Sequence, residues 1–199
     1  MSTPAKIMIV RHAEKPAENG SHFGIGDDGM QDCESLIVKG WQRAGALAAL
    51  FAPPGGVLSS PHLATPAVIY ASPAREEDPQ GTQDSGSRSK RPHQTVAPLA
   101  SKLNITIDLS YHKGDEKALA ADVLTRTGVV LISWQHELIG EIVRHLVRSA
   151  PPEVEIPAAW PDQRFDVVWV LTPPGGVRPK WGFVQVPQML LQGDLPSGI

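Results

Sequence analysis

The sequence predicts an α/β fold: a three-layer sandwich whose mostly parallel central sheet carries helices on both faces and an antiparallel edge strand. Three observations carry that prediction. The runs IMIV, AVIYAS and GVVLIS lack the polar alternation of a half-exposed strand, so each reads as a strand buried on both faces. Segments with apolar residues at helical spacing separate these runs, the order of a sheet wound by crossover helices. Finally, FDVVWVL and WGFVQV flank a PPGG turn, which marks an antiparallel pair at the end of the sheet.

The first strand, residues 6–10, stops at Arg11 and His12. That puts the pair at the carboxyl end of a central strand, the edge where open α/β sheets bind ligands. The polar, Gly-rich stretch AEKPAENGSHFGIGDDGMQDCES reads as a long loop over that edge. Over residues 39–51, Trp41, Ala44, Leu47, Ala48 and Phe51 recur at helical spacing until a first PPGG ends the helix. Residues 67–72 form the second strand. The segment 73–90 that follows has almost nothing able to enter a core and reads as a mobile, solvated insertion, with a closing lid as the alternative. Helical spacing resumes at 94–103, then come a short strand ITID, a helix over about 115–125, the third buried strand at 128–133 and a helix at 137–148. Trp160, Trp169 and Trp181 lie in or beside strand-like runs and read as packing residues.

Composition narrows the function. At 199 residues the chain suits a single domain, residues 1–199, with one core. A net charge of −3 and a pI near 6.1 give no general attraction to nucleic acid or anionic membrane, so an anion site must be a local cluster of cations. Cys33 is the lone cysteine; it forms no intrachain disulfide and makes no zinc cluster by itself. No cofactor or metal is implied. The amino terminus MSTPAK has no apolar stretch of signal-peptide length, and the expectation is a soluble cytoplasmic protein.

Three of the buried strands, or the loops beyond them, end in groups suited to phosphate: Arg11 and His12, then SKRPHQT, then SWQHE. Two guanidinium forks, from Arg11 and Arg91, can grip a phosphoryl group and leave one face open. A neutral imidazole can attack phosphorus and store the group as phosphohistidine, a role open to His12 or His136. Two arginines beside His12 disfavour its charged form, which makes His12 the better nucleophile and leaves His136 to stabilise the equatorial oxygens.

VRHAEKP resembles the arginine-histidine signature of the histidine phosphatase superfamily, also called phosphoglycerate mutase-like. LIVKGWQRAGALAALF resembles the helix that follows it, and IYASP, RPHQTVAPLA and LISWQHE resemble later segments in their usual order. The resemblance implies a phosphohistidine at His12, phosphate binding by Arg11, Arg91 and His136, and no metal. Two departures stand out. Residues 73–90 intervene before the second arginine, so Arg75 and Arg88 compete with Arg91. The general acid is open as well: Glu137, directly after the second histidine, is favoured over Asp115 and Glu116, and its alternative role is a first-turn carboxylate facing the helix dipole.

The function expected is a phosphatase for a small phosphorylated substrate or a phosphoprotein. The alternatives are a protein-phosphohistidine phosphatase, which manages with a weak acid, a mutase-like phosphotransferase, and a phosphate-binding module without turnover. A mutase needs a seal against water, and no segment clearly supplies one. His93 reads as structural or rim, and His22, His62, His112 and His145 as surface residues. Substrate identity and oligomeric state are not legible in the sequence.

Overall fold

The computed structural model describes residues 3–17, 20–75, 87–176 and 179–199. Its sheet has five strands: β1 (Lys6–Arg11), β2 (Val68–Ala71), β3 (Val129–Trp134), β4 (Val167–Thr172) and β5 (Gly182–Pro187), in the order β2-β3-β1-β4-β5. β1 is central, as its unbroken apolar run requires. It pairs parallel with β3, and β3 pairs parallel with β2. β4 runs against both β1 and β5, so the predicted antiparallel pair closes one side, with β5 as the outer strand.

The helices are α1 (Val38–Phe51), α2 (Arg91–Leu103), α3 (Glu116–Val123) and α4 (His136–Leu146), the last continued by one 3-10 turn, Val147–Ser149. Successive strand residues face opposite sides, and the core divides accordingly. Ile7, Ile9, Val130 and Ile132 pack with Leu119, Val123, Ile139 and Ile142 of α3 and α4. Met8, Val10, Leu131 and Ile69 pack with Leu47, Phe51, Val96 and Leu99 of α1 and α2. The three layers follow directly from this alternation. Trp160, Trp169 and Trp181 are buried as packing residues.

The segment ITID does not form a strand. It contributes a single bridge, Asp108 to Tyr70, while Ile105 and Ile107 pack against the α1–α2 side of the core. Its apolar alternation therefore reflects packing at the sheet edge rather than a ladder. Of segment 73–90, residues 76–86 lie outside the described residues. The ends of the segment are pinned: Ala74 bridges Ser87, Ser89 is buried, and the Lys90 amide donates to the Glu34 carbonyl. The reading of a wholly solvated stretch therefore fails for its last residues.

The loop after β1 is folded back on α1. The Ile37 amide donates to the Glu14 carbonyl at 3.2 Å. A Cβ at Gly40 would sit 2.6 Å from that same oxygen, so only glycine lets α1 lie so close.

Candidate active site

Register brings the motifs together. Arg11 is paired with Trp134, and the hydrogen bonding continues one step further, with the His12 amide donating to the Trp134 carbonyl at 2.9 Å. β1 and β3 therefore release His12 and Gln135–His136 side by side. His136 is the first residue of α4 and Arg91 the first of α2, so both stand where helix amides lack intrahelical acceptors and favour an anion. Thr95 couples α2 to the β1 end. Its hydroxyl donates to the Arg91 carbonyl at 2.7 Å and accepts from the Ala13 amide at 2.8 Å.

His12 is 4% exposed, and its Nδ1 donates to the Ala13 carbonyl at 2.7 Å. The imidazole lies edge-on to that of His136, with ring centres 6.4 Å apart. Burial, reinforced by the positive charges of Arg11 and Arg91, lowers the His12 pKa to about 3. The ring is therefore neutral at physiological pH. Burial is the larger cause, ahead of the neighbouring arginines that the sequence alone suggested.

Arg11 is buried, its guanidinium stacked on Phe165 at 3.9 Å. Its Nη1 donates to three carbonyls, those of Pro161 (3.1 Å), Asp162 (2.7 Å) and Arg164 (3.2 Å), and its Nη2 lies 3.3 Å from Nδ1 of His136. Burial lowers Arg11 to about 10, so it stays cationic. Arg91 donates from Nη1 to the Cys33 carbonyl at 3.0 Å and is near enough to Arg11 and His12 to act on the charge of both. Nε of each arginine is buried with no hydrogen-bond partner among the described residues. A buried, unpaired donor costs on the order of 1–3 kcal/mol, which binding an acceptor would recover.

The competing assignments separate. Arg88 points outward, 69% exposed, to an ion pair with Glu34 at 3.5 Å. Arg75 lies beside Arg88, Glu34 and Lys90 rather than beside the imidazoles. Glu116 is buried and accepts from the Trp134 indole at 2.9 Å and from the Gly114 amide at 3.1 Å, so it is a packing group. Asp115 accepts from the His112 amide at 2.9 Å, ahead of α3. Glu137 alone of the three acids stands at the site: Oε2 lies 3.1 Å from Nδ1 of His136, and Oε1 accepts from Lys113 at 2.6 Å. The bond from His136, then that from Lys113, hold its carboxyl well below the usual carboxylate range, against a desolvation that raises it.

His93 borders a cavity of about 420 Å³ with Trp41, Ala97 and Pro98, away from these groups. His22, His62 and His112 are exposed and His145 half-buried. Among the described residues, no group of three or more histidine, cysteine or acidic side chains is arranged to hold a metal ion. No helix of the described residues is long and apolar enough to cross a membrane.

Sequence reasoning missed Asp162, whose carboxylate accepts from Nε2 of His136 at 2.6 Å. Its neighbourhood, WPDQRFD, carries a Pro-Asp turn signal but nothing that ties it to a histidine 26 positions earlier.

No family model and no curated protein matches the chain. Among solved structures the chain is similar to the protein histidine phosphatase SixA complexed with tungstate, at 14% identity over 92% of this chain and 97% of that one, with a TM-score of 0.49. It is similar also to a mycobacterial glucosyl-3-phosphoglycerate phosphatase, at 13% identity over 92% and 97% of the two chains, with a TM-score of 0.48.

Proposed function

We propose that the protein is a phosphatase that transfers the phosphoryl group of its substrate to Nε2 of His12 and then to water. One observation carries the reading: a buried neutral imidazole, one buried and one half-buried guanidinium group and a second imidazole, from three segments far apart in the chain, lie at the carboxyl end of β1 and β3. In the first step the substrate's P–O or P–N bond breaks as N–P forms, and the leaving group departs with the electron pair and takes a proton. In the second, water attacks phosphorus, its proton passes to a nearby base, and phosphate leaves His12 neutral again. Arg11, Arg91 and His136 stabilise the charge on the equatorial oxygens in both steps. Glu137 is the group placed to move the proton.

A second reading is favoured by the state of Glu137. Held ionised by His136 and Lys113, it is a poor acid until a phosphoryl dianion arrives, which suits leaving groups that depart without full protonation, such as the imidazole of phosphohistidine or a phenolate. A turnover screen with alkyl phosphates, aryl phosphates and a phosphohistidine peptide, with a chelator present, tests both readings. Chelator-resistant turnover that stops in His12→Ala supports the first. Turnover that survives in His12→Ala ends it, and activity confined to the phosphohistidine peptide and aryl phosphates selects the second.

A further inference from the structure

The segment between α4 and β4 supplies the site with a residue that none of the three motifs contains. Asp162 engages both the second imidazole and its neighbour Arg11. Its carbonyl accepts from Nη1 of Arg11 at 2.7 Å, and its carboxylate accepts from Nε2 of His136 at 2.6 Å. An ionised carboxylate only accepts, so in this geometry Nε2 carries a proton. Nδ1 is then the nitrogen turned toward Arg11 and Glu137. It stands between a donor, Arg11 Nη2 at 3.3 Å, and an acceptor, Glu137 Oε2 at 3.1 Å. A bare Nδ1 accepts from Arg11. A protonated Nδ1 can donate to an oxygen placed beside Arg11, which is what a phosphoryl group there requires.

We propose that Asp162 is a positioning residue for His136, fixing the proton on Nε2 and presenting Nδ1 to the phosphoryl group beside Arg11. The proposal rests on the phosphatase reading above. Other charged or titratable groups around the ring are His12 and Arg11 from β1 and its exit and Glu137 on α4 with Lys113 behind it, with Arg91 of α2 acting on the charge of His12 and Glu137. Of these, Glu137 alone is an acceptor for the ring, and it contacts the other nitrogen. Among the described residues, Asp162 alone therefore holds Nε2. Its side chain is 74% exposed, so replacing it leaves no buried charge unpaired and should spare the fold.

The test compares Asp162→Ala, Asp162→Asn and His12→Ala by p-nitrophenyl phosphate turnover and by 15N signals of the His136 ring, with and without orthovanadate. In the wild type Nε2 is expected to be protonated in both states. Asp162→Ala is expected to lower kcat by about 10- to 100-fold, less than the loss of a donor itself, with KM within about threefold. Its ring signals should move to a mixture of tautomers. Asp162→Asn, which keeps an acceptor, should recover at least half of the logarithmic loss. A kcat within twofold of wild type in Asp162→Ala overturns the proposal, as does a loss that Asp162→Asn does not lessen. Turnover surviving in His12→Ala sinks the phosphatase reading instead, while the ring signals judge Asp162 with no turnover at all.

Discussion

His12 donates from Nδ1 to the carbonyl oxygen of Ala13 at 2.7 Å, and this bond leaves Nε2 as the nitrogen bearing the lone pair. The nucleophilic atom is thereby chosen by a residue that cannot take part in the chemistry. Phosphoenzyme trapped by rapid acid-free quench is expected to carry phosphorus on Nε2 of His12, read by 31P NMR and by fragmentation mass spectrometry. Phosphorus on Nδ1, or on any other residue, would contradict the assignment.

The same burial makes stability depend on pH. The folded pKa of His12, about 3, lies below its ordinary value of 6.5, so between those values the unfolded chain binds the extra proton. Stability from this group is full above about pH 6.5 and falls as the pH drops toward 3, at up to about 1.4 kcal/mol per unit. Urea titrations from pH 7 to pH 4 should show a shallower acid slope in His12→Phe than in the wild type. Equal slopes would mean that His12 is protonated in the fold.

How much of this arrangement the sequence discloses depends on whether the information is local. Arg11, His12 and His136 directly adjoin apolar runs, and those runs must be central strands because both their faces are buried. Their convergence then follows from parallel pairing, whereas Arg91 is legible only through the RPHQT segment, because the apolar spacing of its helix begins at residue 94. Asp162 is different: it reaches His136 only because an irregular segment folds over Arg11, and no periodicity encodes that. The choice among Asp115, Glu116 and Glu137 was hidden for a related reason. Glu116 looks like a solvent-facing helix residue until the Trp134 indole is placed against it. The ladder expected at ITID was lost to a single bridge because alternation records burial, not hydrogen bonding.

Arg91 and Arg88 stand three residues apart and provide a contrast within one segment. Arg91 is near enough to Arg11 and His12 to act on the charge of both, its Nε buried and without a partner among the described residues, whereas Arg88 reaches outward to Glu34. Arg91→Ala is expected to lower kcat/KM by about 10²- to 10³-fold, the cost of removing one preorganised oxyanion donor. Arg88→Ala should stay within about threefold. Steady-state kinetics with an aryl phosphate decide the matter, and the reverse order would transfer the phosphate-binding role to Arg88.

Glu137 should matter in proportion to the leaving group. Removing its proton-transfer capacity in Glu137→Gln is expected to slow alkyl phosphates by about 10²- to 10⁴-fold, the range of general acid catalysis, and p-nitrophenyl phosphate by less than about tenfold. A steeper dependence of log kcat/KM on leaving-group pKa in the variant is the signature. Parallel plots for the two proteins would remove Glu137 from the proton path and leave it as a first-turn carboxylate of α4.

Arg43 forms a buried ion network next to the site, and its loss should be felt in the fold rather than in the chemistry. From α1 it donates to Glu14 (Nη2–Oε1, 2.8 Å), to Gln188 (2.9 Å) and to Asp194 (Nη2–Oδ1, 2.7 Å), with 2% of its surface exposed. Asp194 also accepts from the Leu190 and Leu191 amides, so the network ties the segment after β5 to the loop after β1. Arg43→Met removes the cation but leaves two carboxylates in a space built for three charges. Such an uncompensated buried charge costs about 3–5 kcal/mol. Losing Arg43 removes a bond that holds the Asp194 carboxyl below its ordinary range, so protonation of Asp194 relieves part of that cost and the variant's deficit should shrink as pH falls from 7 to 5, opposite to the trend set by His12. Adding Glu14→Gln and Asp194→Asn to Arg43→Met should return most of the lost stability, because neutral amides of similar shape no longer need the guanidinium. Chemical denaturation of the single and triple variants at both pH values separates the two contributions, and a single variant as stable as the wild type at pH 7 would show that the network contributes nothing to the fold.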